Sequence, residues 1–203
     1  MFDHMKLLLL TGFLITVAIA GLLVGAASLS VSQVMEQLIA FSSDDFVINQ
    51  YRLPRMLLAI GVGAGLGLSG MLVQGVIRNP LASPDLMGIS AGAGLAATAS
   101  LVWFPNAPVS WLPLVAMMGG LFAAGLIAVL AWRSKPTPAR LALIGIAVSA
   151  FLASGIDFLL ITHPLEINTA MVWLTGSLWG RNWQQVPFIC LLYTSDAADD
   201  ETS

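Results

Sequence analysis

Long apolar runs, separated by short polar interruptions, dominate this chain of 203 residues. Each of five runs has about 19–24 residues and, as a helix, is about 30–35 Å long, which is enough to cross the hydrocarbon core of a membrane. The predicted spans are residues 6–27, 56–77, 86–104, 111–132 and 139–162. A sixth span begins near Gln185 but soon meets acidic residues. The pattern predicts an all-α, polytopic bundle of transmembrane helices with five to six spans present.

The first run could also belong to a signal peptide, because Lys6 precedes it and small residues follow it at 25–27. At about 20 residues it is longer than the usual apolar region of a signal peptide and long enough to span a bilayer. Further apolar runs follow it. We therefore interpret it as a first transmembrane helix.

Two segments between the spans suggest shorter helices. In residues 28–55, the apolar residues Val31, Val34 and Leu38 have the spacing of a short amphipathic helix along the membrane interface. Residues 163–185 hold three of the six tryptophans. They form either an interfacial aromatic belt or a short re-entrant helix at the mouth of a pathway, and both alternatives stay open.

The composition is that of a membrane protein. Charged residues are 9% of the chain and the formal net charge is −3, whereas a soluble domain has roughly 25% charged residues. So few charges leave no basic patch for nucleic acid. The single cysteine, Cys190, excludes an intramolecular disulfide and a cysteine-based zinc site. We expect no metal site.

The basic residues predict a cytoplasmic N-terminus. This orientation places five of them inside and three outside. The inside residues are Lys6, Arg78, Arg133, Lys135 and Arg140, and the outside residues are Arg52, Arg55 and Arg181. The stretch RNPLASPDLMG, residues 78–88, then becomes a cytoplasmic turn. Pro80 and Pro84 stop helix propagation, and Asp85 is expected to cap the third span.

Glycines four residues apart predict close packing between helices, because both members of a pair share a helix face. The pairs are Gly21/Gly25, Gly61/Gly65, Gly63/Gly67 and Gly88/Gly92. The second span has little bulk on any face, so we expect it to be central in the bundle.

Several motifs in the chain are misleading. Residues 65–70, GLGLSG, match a dinucleotide-binding fingerprint but follow no strand. Neither lysine follows a glycine, so the chain lacks the Walker A motif and cannot hydrolyse ATP by that route. Ser69 and His163 could suggest an intramembrane serine protease, but the predicted topology separates them in depth. That enzyme is the third alternative for the function.

Two blocks resemble the FecCD-type permeases, the membrane subunits of type II ABC importers that include the vitamin B12 permease. They are YRLPRMLLAIGVGAGLGLSGMLVQGVIRNPLASPDLMGISAGAG, residues 51–94, and NTAMVWLTGSLWGRNW, residues 168–183. The second block looks most like the iron(III) dicitrate permeases of that family. The resemblance covers about residues 6–190.

The resemblance implies a ten-helix subunit that pairs with a second permease subunit, as a hetero- or homodimer, around a pathway for an iron chelate. A periplasmic binding protein would deliver the substrate. Two cytoplasmic ATPases would bind ATP, so this chain would be no enzyme and would need no cofactor of its own. The expected location is the bacterial inner membrane, surrounded by lipid.

The resemblance also implies roles for particular residues. In the family, arginines of the RLPR motif contact acidic residues of the binding protein, which points to Arg52 and Arg55. Anchoring at the lipid headgroups is the alternative. The turn with Arg78, Asn79, Pro80 and Asp85 resembles the family's cytoplasmic turn near the ATPase. We hypothesise that Arg78 and Asp85 fix this turn and touch the ATPase, and a purely structural turn is the alternative.

The C-terminal end departs from the family. We expect residues 1–192 to be the N-terminal part of the permease domain and residues 193–203 to be a foreign acidic tail, artefactual or disordered. Placing Asp196, Asp199 and Asp200 in hydrocarbon would cost several kcal/mol. We therefore expect a truncated permease that does not transport alone, and the alternative is a non-transporting membrane partner, an assembly module or a gene remnant.

Overall fold

The computed structural model describes residues 2–25, 30–40, 46–132, 137–178 and 180–187, and every regular element in these ranges is a helix. They are α1 (Phe2–Leu23), α2 (Val31–Ala40), a π-helix (Phe46–Arg52), α3 (Leu53–Ile77), α4 (Ile89–Trp103), a 3-10 turn (Val109–Trp111), α5 (Leu112–Trp132), α6 (Pro138–Thr162) and α7 (Ile167–Thr175). The predicted all-α class is confirmed. Several predicted features lie outside the described residues: the small residues 26–27, Arg133, Lys135, the sixth span beyond residue 187, Cys190 and the tail 193–203.

Four helical stretches are long and apolar enough to cross a membrane. They are His4–Leu23, Val47–Ile77, Val109–Trp132 and Pro138–Thr162. The third predicted span, α4, has 15 residues, so it is about 22 Å long and shorter than the hydrocarbon core. It begins later than predicted because residues 84–88 form turns, with hydrogen bonds from Met87 N to Pro84 O and from Gly88 N to Asp85 O, both 3.1 Å.

Contacts divide the chain into two units, one of residues 1–65 and 178–203 and the other of residues 66–177. The first unit has a small core around Ile48 of the π-helix, which is fully buried. Val34 of α2 and Leu22 of α1 pack against it. The predicted short helix over this region is confirmed as α2, while its location along the membrane interface stays a prediction.

The second unit is organised around α4, which packs against α5, α6 and α7. The closest approach is between Gly92 of α4 and Gly119 of α5. A Cβ atom on Gly92 would lie 2.5 Å from Ala123 Cβ and 2.6 Å from Gly119 O. Glycine is therefore required where these two backbones meet. Gly92 is one of the predicted packing residues, whereas Gly119 belongs to none of the predicted pairs.

Two other predicted packing glycines differ in their surroundings. Gly88 has a φ of 72°, and a Cβ there would lie 3.0 Å from Ser149 N of α6. Its backbone therefore approaches α6 closely, as expected of a packing residue. A Cβ on Gly21 would meet no atom within 4 Å, so the described residues show no close packing at Gly21.

The glycines in the middle of α3 are exposed among the described residues. Gly65 is exposed, as are its neighbours in residues 62–68. A Cβ on Gly63 or Gly67 would meet no atom within 4 Å. Close packing at these positions of α3 therefore stays a prediction. The four-residue spacing of these glycines shows that they share one face of the helix, but it does not identify which helix packs against that face. The central position expected for this span also stays a prediction.

The contact at Gly92 leads to a first prediction. We expect Gly92→Ala to lower the free energy of unfolding by about 1–3 kcal/mol, because the added methyl group overpacks the interface with α5. The matched control is Gly125→Ala in α5, where a Cβ meets nothing within 4 Å. Thermal or denaturant unfolding of the purified protein in detergent compares the two variants. Equal stabilities would show that the close approach does not matter.

Candidate functional site

Arg52 ends the π-helix and reaches the end of α1. Its Nη1 donates hydrogen bonds to Leu22 O at 2.6 Å and to Leu23 O at 3.2 Å. The last carbonyls of a helix have no partner within the helix, and a positive charge is favourable at this end of the helix dipole. The side chain is half-buried. Arg52 thus caps α1 from a position about 30 residues further along the chain.

Gly25 lies directly under the Arg52 guanidinium. A Cβ on Gly25 would stand 2.7 Å from Arg52 Nη2 and 3.0 Å from Arg52 Cζ. The backbone of Gly25 does not have the positive φ that favours glycine. The absence of a side chain at this position therefore makes room for the arginine.

Arg55 lies three residues later, in the first turn of α3, and its side chain is exposed. Its Nε donates to Leu178 O at 3.2 Å. Among the described residues this is its single hydrogen bond.

The same segment after α7 also contacts the π-helix. Trp183 Nε1 donates to Asn49 O at 2.5 Å. Asn49 is buried, at 3% exposure, and its Nδ2 donates to Gln37 O of α2 at 3.4 Å. The π-helix therefore connects α1, α2 and the tryptophan-containing segment. Sequence reasoning noted the tryptophans but offered no signal for this pairing.

A cavity of about 850 Å³ lies between α1 and α3 in this unit. Its walls are mostly apolar, from Leu14 and Val17 on α1 to Ala59 and Ile60 on α3. The polar lining includes Arg52 and Arg55. Both predicted docking residues thus line one cavity, though their hydrogen bonds differ.

The predicted turn begins where α3 ends. Arg78 has a φ of 53°, in the left-handed region, and Asn79 N donates to Gln74 O at 3.2 Å. A hydrogen bond that reaches back from Asn79 to Gln74 is typical of a Schellman cap. Glycine is the usual left-handed residue in such a cap. Asn79 Oδ1 accepts from Leu81 N at 3.0 Å. Pro80, between Asn79 and Leu81, has no N–H to leave unpaired.

The predicted capping role of Asp85 is wrong. The cap position of α4 is Gly88, and no side chain caps it. Asp85 lies one turn earlier, and its Oδ1 accepts a hydrogen bond from Ser90 Oγ at 2.5 Å. Its backbone carbonyl accepts from Ser149 Oγ of α6 at 3.3 Å. Asp85 thus links the turn to α4 and α6 through hydrogen bonds from two serine hydroxyls.

The pair considered for a serine protease does not form. Ser69 Oγ donates to Leu66 O at 2.9 Å, and His163 Nδ1 lies 2.9 Å from Thr162 Oγ1. In the part of the chain that the structure describes, neither side chain is hydrogen-bonded to the other. A nucleophile needs its base within hydrogen-bonding distance, so the described geometry does not support this enzyme.

Comparison with known proteins decides the family. Residues 12–195 match the FecCD transport family. The chain belongs to this family. It is 43% identical over 194 residues to the Fe(3+)-citrate import system permease protein YfmE of Bacillus subtilis (strain 168), a match covering 93% of this chain and 58% of that protein. It is 49% identical over 141 residues to the Fe(3+) dicitrate transport system permease protein FecD of Escherichia coli (strain K12), covering 70% and 44%.

A solved structure of an inward-facing metal-chelate type ABC transporter has the same fold. The TM-score is 0.73 at 31% identity, over 90% of this chain and 56% of that chain. The chain thus spans about half the length of the proteins it matches. The predicted resemblance to FecCD-type permeases is confirmed, and the family with the four apolar helices makes this a multi-pass membrane protein.

The left-handed residue in this FecCD chain gives a second prediction. We expect Arg78→Gly to be about 1 kcal/mol more stable than Arg78→Ala, because both variants lose the side chain but only glycine avoids the Cβ penalty at positive φ. Thermal unfolding in detergent measures the difference. A more stable alanine variant would mean that the residue is not left-handed in solution.

Proposed function

We propose that this chain is part of the transmembrane permease subunit of an ABC importer that takes up an iron(III) chelate, with iron(III) dicitrate as the substrate. The observation that carries the proposal is the 43% and 49% identity to two citrate permeases from different bacteria. The four apolar helices supply the membrane-spanning part. The subunit pairs with a second permease subunit around the pathway, in the inner membrane.

The energy and the substrate come from partner proteins in this proposal. Cytoplasmic ATPases bind and hydrolyse ATP, and a periplasmic binding protein delivers the chelate. The basic residues support a cytoplasmic N-terminus, which leaves Arg52 and Arg55 outside for the binding protein. Arginine is suited to such a contact, because its planar fork binds a carboxylate with two parallel hydrogen bonds.

On the cytoplasmic side, the turn with Arg78, Asn79, Pro80 and Asp85 contacts the ATPase. Arg78 and Asp85 are exposed, and within the described ranges the Arg78 side chain has no hydrogen bond. A non-glycine residue held in the left-handed region costs roughly 1–2 kcal/mol. Residues held in unfavourable conformations cluster at contact and switch sites, which supports a role for the Arg78 side chain.

Deleting the gene for this chain from its own organism tests the proposal. We expect growth on iron(III) citrate as the sole iron source to be lost, with radiolabelled iron(III) citrate uptake reduced to background. Growth on a hydroxamate iron chelate is the control and should not change if the chain serves iron(III) citrate uptake specifically. Normal growth on iron(III) citrate after the deletion would refute the substrate.

Co-purification distinguishes a transporter subunit from a non-transporting membrane partner. We expect the tagged chain, extracted from its own membranes in mild detergent, to retain an ABC ATPase and the second permease subunit. A stable chain that purifies without either protein would favour the membrane-partner alternative.

The Arg78 variants give a further prediction in the same strain. Arg78→Gly keeps the turn but removes the charged side chain, so we expect citrate uptake and the co-purified ATPase to fall together. Arg78→Lys keeps a positive charge and is the matched control, which should retain most of both. Wild-type uptake and ATPase association in Arg78→Gly would leave the turn a purely structural role.

A further inference from the structure

The helix α5 has one buried side and one exposed side. The buried residues recur at steps of three and four, and they are Gly120, Ala123, Ile127 and Ala131. The exposed side runs along the whole helix and includes Leu114, Met118, Leu121, Gly125, Ala128 and Trp132. Both sets have the spacing of a helix face. One side of α5 therefore packs within its unit, mainly against α4, and the opposite side is open among the described residues.

The exposed side of α5 has no side chain that requires water. From Leu112 to Ala131, no residue has a charged, hydroxyl or amide side chain. The helix α6 differs, because its exposed residues include Ser154 and Asp157. A carboxylate inside a membrane is costly and almost always faces protein or a water-filled cavity, whereas apolar side chains are compatible with lipid tails. The composition therefore favours lipid as the neighbour of the exposed side of α5.

A tryptophan lies at each end of this side. Trp111 directly precedes α5 and is 63% exposed, and Trp132 is the last residue of α5 and is 87% exposed. The 21 residues of α5 make it about 31 Å long, which matches a hydrocarbon core of about 30 Å. Tryptophan is enriched where the hydrocarbon meets the headgroups. The two rings are therefore spaced to reach the two boundaries of one bilayer.

We propose that the exposed side of α5, from Trp111 to Trp132, is a lipid-facing surface, and that these two tryptophans anchor α5 at its depth in the bilayer. Its neighbours are phospholipids, with their tails along the middle of the helix and their headgroup region at both rings. The proposal concerns the chain in its membrane and is independent of the transported substrate.

Spin labels identify the neighbour of the exposed side. The chain is purified together with any associated subunits and reconstituted into phosphatidylcholine vesicles. In a Cys190→Ser background, single cysteines carry the label at positions 114, 118, 121, 125 and 129. Oxygen concentrates among lipid tails, and a charged nickel chelate stays in water. We expect collisions with oxygen to exceed those with the chelate at every position, and the ratio to be greatest at position 121, near the middle of the helix.

The other outcomes of the labelling contradict the proposal. Immobilised labels that collide with neither reagent would show that a protein surface, such as the second permease subunit, covers α5. Frequent collisions with the nickel chelate in the middle of the helix would show a water-filled pathway. Ala123→Cys, on the buried side, is the matched control, and its label should collide with neither reagent.

Bilayer thickness tests the two anchors. Unfolding temperatures are compared in nanodiscs of short-, medium- and long-chain phosphatidylcholine. We expect the unaltered protein to be most stable where the hydrocarbon core is about 30 Å thick, because mismatch in either direction costs free energy. Trp111→Leu combined with Trp132→Leu keeps the surface apolar but removes the preference for the boundary. The dependence on thickness should then be about twofold weaker.

Phe122→Leu is the matched control for the anchors. Phe122 is an aromatic residue in the middle of α5 and is 67% exposed, so its replacement removes a ring far from both boundaries. This variant should keep the full dependence on thickness. The anchoring role is overturned if the double tryptophan variant also keeps the full dependence, or if Phe122→Leu weakens it equally.

Discussion

Every helix that ends at a membrane surface leaves backbone carbonyl or N–H groups without a helical partner, and hydrocarbon offers none. The described helices meet this constraint in different ways. The Arg52 side chain caps the end of α1, although it lies in a later helix. At the end of α3, the left-handed conformation of Arg78 lets Asn79 N donate to Gln74 O. At the start of α6, Thr137 Oγ1 accepts a hydrogen bond from Arg140 N at 3.3 Å. These caps determine where the polar segments begin, and the proposed partner contacts lie on those segments.

The first unit illustrates how one short element can support a residue proposed to dock a partner. The π-helix holds the ends of α1 and α2 and the segment around Trp183 through buried or half-buried groups. An exposed arginine on such a support loses little freedom when a partner binds. Preorganisation of this kind reduces the entropy cost of association. The contacts of Arg52 and Asn49 therefore help to hold the segment that leads into α3, on which Arg55 lies.

Sequence reasoning predicted the long helices well because membrane thickness sets their length and composition. It failed where conformation depends on a single dihedral angle or on a distant residue. Asp85 fits the preference for helix caps, but the positive φ of Gly88 moves the helix start beyond its reach. Spacing identified Gly92 on α4, whereas its partner Gly119 lies on another helix. The RLPR motif drew attention to both arginines, but no local pattern reveals that Arg52 caps a helix 30 residues earlier.

Arg78 is the residue at which local preference and observed conformation disagree most. A turn selected only for stability would favour glycine at the left-handed position of a Schellman cap. Asn79 already supplies the hydrogen bonds of this turn through its backbone and side chain, so the arginine side chain is not needed to close it. Among the described residues its guanidinium has no hydrogen-bonding partner, and it is exposed. Function is expected where a residue departs from the local conformational preference without a local benefit, and this is the reason for proposing that Arg78 contacts a partner protein.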